Sequence, residues 1–148
     1  MKVKRIKENV IDSFSGKYKF LSNYYYVPIK YDGLTYPSTE HAFQASKTLD
    51  INERIYMSLM ESFSEVKRYG NKLSLRDDWE TIKLNVMEEI LRIKFLNTSN
   101  ELKEKLLNTG EAILIEGNTW GDKYWGVCNG EGENHLGKLL MKIRSEIL

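Results

Sequence analysis

Hydrophobic and polar positions divide the chain into short β-prone runs near its start and helical periods over most of the remainder. In VPIKYDGLTY, residues 27–36, Asp32-Gly33 separates two β-prone runs. An Asp-Gly pair accepts the positive φ angles that a two-residue turn demands, so the pattern predicts a hairpin. Pro37 and Ser38 are expected to stop the second strand and to offer an N-cap for a helix over residues 39–49. At about 100° per residue, Ala42, Ala45 and Leu49 gather on one side of that helix. Glu40, Gln44 and Lys47 gather on the other, with Phe43 at the margin.

Shorter helices are predicted over residues 51–61 and 64–70. Asp77 with Glu80 then makes a capping-box-like start for the longest one. Its ridge is Trp79, Ile82, Val86, Ile90 and Ile93, and Leu84, Leu91 and Phe95 widen the apolar arc, as in a central helix packed on two sides. Another helix, residues 100–109, is closed by Gly110. Residues 112–116 alternate Ile113 and Ile115 in strand fashion, and residues 117–132, rich in Gly, Asn and Trp, read as loop. The last helix, residues 135–148, carries Leu136, Leu139, Leu140, Ile143 and Ile147 at core spacing. With no internal repeat or linker, the expectation is a single α+β domain over residues 1–148, mostly helical, with a small β-hairpin or sheet.

Composition narrows the partners. The 148 residues are 41% hydrophobic, with 5 Phe, 3 Trp and 9 Tyr, enough to fill one core. Lys and Arg total 22 against 21 Asp and Glu, and a net charge of +1 exerts no global pull on a polyanion. Cys128 is the single cysteine and cannot make an internal disulfide. The first residues lack the apolar segment of a signal peptide, and no apolar run approaches the ~20 residues of a bilayer span. A cytoplasmic location away from membranes is therefore expected.

Several chemistries lack the residues they need. His41, His135 and Cys128 have no metal-ligand spacing. GEGENHLG, residues 130–137, displaces the third glycine of a dinucleotide fingerprint, and Glu131 and Glu133 would repel a phosphate. No nucleophile elbow or Walker motif is present. What remains is polar and aromatic side chains at element ends. Glu40 falls in the first turn of a helix, whose dipole favours a carboxylate suited to act as a base or to stabilise a sugar cation. Lys47, on the same face, suits a phosphate ligand or, if desolvated, a nucleophilic amine. A solvated face is the plain alternative for both. In EGNTWGDKYWGVCNG, residues 116–130, Trp120 and Trp125 can stack on a base and Asp122 can serve as a second carboxylate, or the aromatics can merely cap the core. Trp79 reads locally as core, and Ser22, Asn23 and Tyr24 as ligand contacts or turn formers.

Taken in order, FLSNYY from Phe20, YPSTEHAFQASK from Tyr36, LRDDW from Leu75, Lys94-Phe95, EGNTWGDKYWG from Glu116 and GENHLGKLLMKIR from Gly132 resemble the motifs of the NADAR (YbiA-like) family over nearly the whole chain. The resemblance implies an α+β, YbiA-like fold and hydrolysis of N-glycosidic bonds without a metal or redox cofactor. It implies Glu40 as the central catalytic residue, with Lys47, Trp79, Asp122, Trp125 and Asn134 as site positions. Ser22, Asn23 and Arg76 match motif positions that reach phosphate or sugar, and Tyr24, Gln44 and Gly126 complete the substrate-binding set. Tyr25, where phenylalanine is common, and Asp78 depart from the pattern without removing a reactive group.

The expected substrate is a small phosphorylated riboside, such as a riboflavin-pathway intermediate, or ADP-ribose attached to guanine; nucleic acid enters only as an ADP-ribosylated substrate. Nothing specifies an oligomeric state. Lys67, Arg68, Lys72 and Arg76 are the local basic patch available to a nucleic-acid backbone. Breaking a ribose C1–N bond needs an anion near C1 and a proton source near the base. Glu40 answers the first need, with water or the Lys47 amine as nucleophile. The competing readings are a non-catalytic ADP-ribose or nucleotide-binding module, which binds without forming product, and a helical interaction module in which Glu40 is simply wet.

Overall fold

The computed structural model describes residues 9–147. Leu148, expected at the end of the last helix, and the first eight residues, read for a signal peptide, lie outside them. A short strand not anticipated from the sequence, β1 (Val10–Ile11), precedes a 3₁₀ turn over Gly16–Leu21. The predicted hairpin follows as β2 (Tyr26–Tyr31) and β3 (Leu34–Ser38). Asp32 and Gly33 take φ of 51° and 88°, the left-handed values expected of that turn. Strand β3 does not stop at Pro37 but runs on to Ser38, which pairs with Tyr26 beyond a register shift. In a two-stranded ribbon each strand has a free edge, so the missing proline N–H is tolerated.

Ser38 then caps α1 (Thr39–Ala45), its hydroxyl accepting the His41 N–H at 3.1 Å. The helix is four residues shorter than expected. Ser46 donates its hydroxyl to the Ala42 carbonyl at 2.7 Å, Thr48 accepts the Asp50 N–H, and Asp50 caps a new helix, α2 (Ile51–Ser58). Leu49 consequently falls in the connection, 68% exposed rather than in the core. All seven residues of α1 are buried, because α2, α3 (Phe63–Asn71) and α4 (Trp79–Arg92) pack around it.

The start of α4 is not a capping box. Asp78, not Asp77, holds the N-cap position, and its carboxylate binds Arg76 instead of the helix end. Val86, Ile90, Leu91 and Phe95 are buried as expected, joined by Met87, whereas Ile82, Leu84 and Ile93 are half-buried. The last turn, Ile93–Asn97, is π-helical. After α5 (Asn100–Leu107), strand β4 (Ile113–Leu114) runs parallel to β1. Its phase is the reverse of the expected one: Ala112 and Leu114 are buried, while Ile113 and Ile115 are half-buried. The stretch expected as loop contains a parallel pair, β5 (Gly117–Asn118) with β6 (Val127–Cys128). Helix α6 (His135–Glu146) closes the core with Leu136, Leu140 and Ile143. No described helix is long and apolar enough to cross a membrane.

Candidate active site

A cavity of about 500 Å³ opens where α1, α3 and α4 meet the segments around Ser22 and Glu116. Glu40, Phe43 and Gln44 enter from α1, Lys47 from the turn that follows it, Lys67 and Asn71 from α3, and Trp79, Lys83 and Met87 from α4. Ser22, Asn23 and Tyr24 form one wall, and Glu116, Trp120, Asp122 and Trp125 another. The polar face of α1 is thus neither wet nor core. It is the floor of a cavity.

Glu40 is 6% exposed. Gln44 donates to its Oε1 at 2.9 Å, and its backbone N–H reaches the Asn23 carbonyl at 3.4 Å. Burial raises its pKa, against the Gln44 hydrogen bond and the Lys67 and Lys47 charges, and the Asp122 carboxylate adds to the rise. Burial, not the helix end, therefore dominates its titration. Gln44 is itself fixed by α3, where a Cβ on Gly70 would overlap its side-chain amide. Lys47, whose Nζ lies 3.4 Å from Asn71 Oδ1, has its pKa lowered by burial and by Lys67 and Lys83, with Glu40 opposing. Burial also pulls Lys67 down, but the Tyr24 hydroxyl and the Glu40 and Asp122 carboxylates outweigh it, and Lys67 stays cationic.

The aromatic wall is continuous. Phe43 lies 5.1 Å from Trp79 and 5.2 Å from Trp125, ring centre to ring centre, and both tryptophans border the cavity. Trp79 is 4% exposed, so its core role and its place in the cavity wall coexist. Asp122 Oδ1 accepts the Tyr124 and Trp125 N–H groups at 3.1 and 2.9 Å, a turn that sets the Trp125 backbone. Asn23 is 9% exposed, and its Oδ1 has no hydrogen-bond partner among the described residues, so it offers a ready acceptor to a bound hydroxyl or amine.

Three expected site residues stand apart from the cavity wall. Arg76 pairs with Asp78 through both carboxylate oxygens, at 2.6 and 3.1 Å, and its backbone N–H joins the Lys47 carbonyl. Asn134, at φ 53°, bridges Leu114 and Glu116, and Gly126 lies against Glu116. Conversely, the sequence reading did not assign Glu116, Lys83, Met87 or Asn71 to the site. Glu116 opened the most conspicuous motif but sat between a strand and a loop, with nothing to show which way it pointed.

An α+β scaffold with a partly open cavity of carboxylates, lysines and tilted or edge-on aromatics defines a small-molecule site of the hydrolase or ligand-binding kind. The NADAR domain model matches residues 8–148, and the chain belongs to that family. It is 40% identical over 152 residues to the N-glycosidase YbiA of Shigella boydii serotype 4 (strain Sb227), covering 99% of this chain and 94% of that protein. It is 37% identical over 132 residues to the riboflavin biosynthesis protein PYRR, chloroplastic, of Zea mays, covering 79% of this chain and 20% of that one. The NMR structure of the E. coli protein YbiA superposes with a TM-score of 0.82 at 38% identity, covering 99% of this chain and 89% of that chain.

Proposed function

We propose that the chain is a hydrolase of N-glycosyl bonds, that its substrate is a small phosphorylated riboside, and that the ribose C1–N bond is cut in the cavity under Glu40. The observation that carries this is the convergence of Glu40, Asp122, Lys47, Trp79 and Trp125 on one cavity. A ribosyl cation needs a nearby anion at C1, the base needs a flat apolar face, and the phosphate needs cations. Glu40, Trp125 with Trp79, and Lys67 match these needs in turn. The family and the named activity of its Shigella relative support the reaction, and the size of the cavity supports a small substrate.

Three of the four residues of the basic patch read from the sequence have separate surroundings. Lys67 faces the cavity, Lys72 lines a separate depression beside Tyr69, and Arg76 is engaged by Asp78. This disfavours an extended nucleic-acid backbone as a binding partner. The experiment is a side-by-side assay of a ribosylaminopyrimidine phosphate and an ADP-ribosylated guanine oligonucleotide, scoring free base by chromatography. The phosphorylated riboside should be cleaved faster, and Glu40→Gln should stay folded while losing about 10²-fold or more in kcat. Base release from the oligonucleotide alone would reverse the substrate assignment. Near-normal turnover by Glu40→Gln would remove Glu40 from the chemistry.

The lowered pKa of Lys47 favours a second reading of the nucleophile. In that route a desolvated amine beside two other cations attacks C1 of the opened ribose, the base leaves with the electron pair of the C1–N bond and a proton relayed by Glu40, and water then hydrolyses the resulting Schiff base to free the sugar and the lysine. Borohydride added during turnover would then leave a ribosyl adduct on the Lys47 peptide, detected by mass spectrometry. An unmodified peptide under turnover assigns the attack to water.

A further inference from the structure

Gly126 and Asn134, two expected site residues that stand outside the cavity wall, act on a side chain inside it, Glu116. The Glu116 backbone is held from both sides: its N–H donates to Asn134 Oδ1 at 3.0 Å, and its carbonyl accepts the Val127 N–H at 2.9 Å. Its carboxylate borders the cavity, where Oε2 accepts from Asn118 Nδ2 at 3.0 Å. Gly126 lies against that same oxygen, and a Cβ there would occupy its place. Asn118 also grips the Asp122 backbone, donating to its carbonyl at 2.8 Å and accepting its N–H at 3.0 Å, so one amide sets both carboxylates. A glutamate with three free torsions is thus confined by a glycine recess, an amide donor and an anchored backbone, the preorganisation a reacting group needs.

We propose that Glu116 is the general acid of the reaction, giving its carboxyl proton to the base nitrogen as the C1–N bond breaks. This rests on the N-glycosidase reading above. The electron pair of the broken bond goes to nitrogen, which takes the Glu116 proton. Water oxygen bonds to C1 and yields a proton to the Glu40 carboxylate, and exchange with solvent restores both groups before the next turnover. The surroundings divide the two roles. Burial and the Asp122 carboxylate raise Glu40 as well, but its ionised form has the Gln44 amide and two lysines for partners. Glu116 has one amide and Lys67, and it faces the Asp122 and Glu40 carboxylates. Burial and those two carboxylates push Glu116 up to about 7, so it retains a proton into the neutral range.

The test is the pH profile of kcat/KM for the wild type, Glu116→Gln and Glu116→Asp on whichever riboside the wild type cleaves. An acid at Glu116 makes the wild-type rate fall as pH rises through about 7. Glu116→Gln should lose about 10²-fold or more in kcat with KM nearly unchanged, and its residual activity should lack that alkaline limb. Glu116→Asp, retracted by one methylene, should be slower yet keep the limb, and it carries the test alone if circular dichroism shows the Gln variant unfolded. Unreduced rates in the folded variants, or an alkaline limb that persists in Glu116→Gln, overturn the role of Glu116 alone. Absence of base release by the wild type overturns the N-glycosidase reading, and this inference with it.

Discussion

Lys94 is a lysine with no exposed surface, in the π-helical turn that ends α4. Its Nζ donates to the Ser22 carbonyl at 2.8 Å and lies about 5 Å from the Tyr25 and Phe95 rings. Burial, with Lys19 adding a like charge, lowers its pKa from 10.5 to about 7. Below about pH 7 both folded and unfolded chains carry the proton, and the cost of burying the charge is present in full. Between about 7 and 10.5 only the unfolded chain holds it, so folding stability rises with pH by up to about 1.4 kcal/mol per unit from this one group. Lys94→Met lacks that gain. Its stability relative to the wild type should be most favourable near pH 6 and decline steadily toward pH 10, as read from paired thermal melts. A difference that stays constant with pH would contradict a buried, titrating amine. The Ser22 carbonyl also loses its donor in this variant, at a cost of about 1–3 kcal/mol, and the Ser22–Tyr24 wall of the cavity should loosen. Substrate KM should therefore rise even where the fold is no less stable.

At the scale of elements, what was legible in the sequence depended on whether the deciding contact was local. The hairpin was readable because Asp32 and Gly33 alone dictate its turn, and the Ser38 cap because the cap and the N–H it binds are three residues apart. The end of α1 was not. Residues 39–49 are helix-compatible throughout, yet Ser46, Thr48 and Asp50 together break the run by bonding to neighbouring backbone groups. Strands of two residues, such as β1 and β4, carry too little periodicity to register, and the inward phase of β4 is set by its parallel partner more than 100 residues away. The site shows the same division. Glu40 and Gln44 share a face of α1 as expected, while Lys47 reaches the same cavity from the turn beyond it, and period alone does not distinguish a cavity floor from a wet surface. Glu116 escaped notice because its direction is set by Asn118, Gly126 and Asn134, the last two in segments that approach only on folding.

At the scale of the whole molecule, 22 cationic and 21 anionic side chains nearly cancel, leaving no long-range field to steer an anion toward the cavity. The cations that matter line the cavity itself, among them Lys19, Lys47, Lys67 and Lys83, and they share it with three carboxylates, Glu40, Glu116 and Asp122. Attraction for a phosphorylated substrate is then short-ranged and acts within a partly enclosed volume, where screening is weaker than over open surface. A substrate bearing one phosphate should lose no more than about fourfold in kcat/KM between 50 and 200 mM KCl, because one neutralised phosphate contributes a log–log slope of about −0.9 at most. A protein that gripped a nucleic-acid backbone through several phosphates would behave otherwise, and three contacts on a single strand would already cost more than about tenfold over the same range. Steady-state kinetics across that salt series, run on the phosphorylated riboside, measures the slope directly. A steep loss on this substrate would mean that cations beyond the cavity, such as Arg68, Lys72 and Arg76, take part in capture.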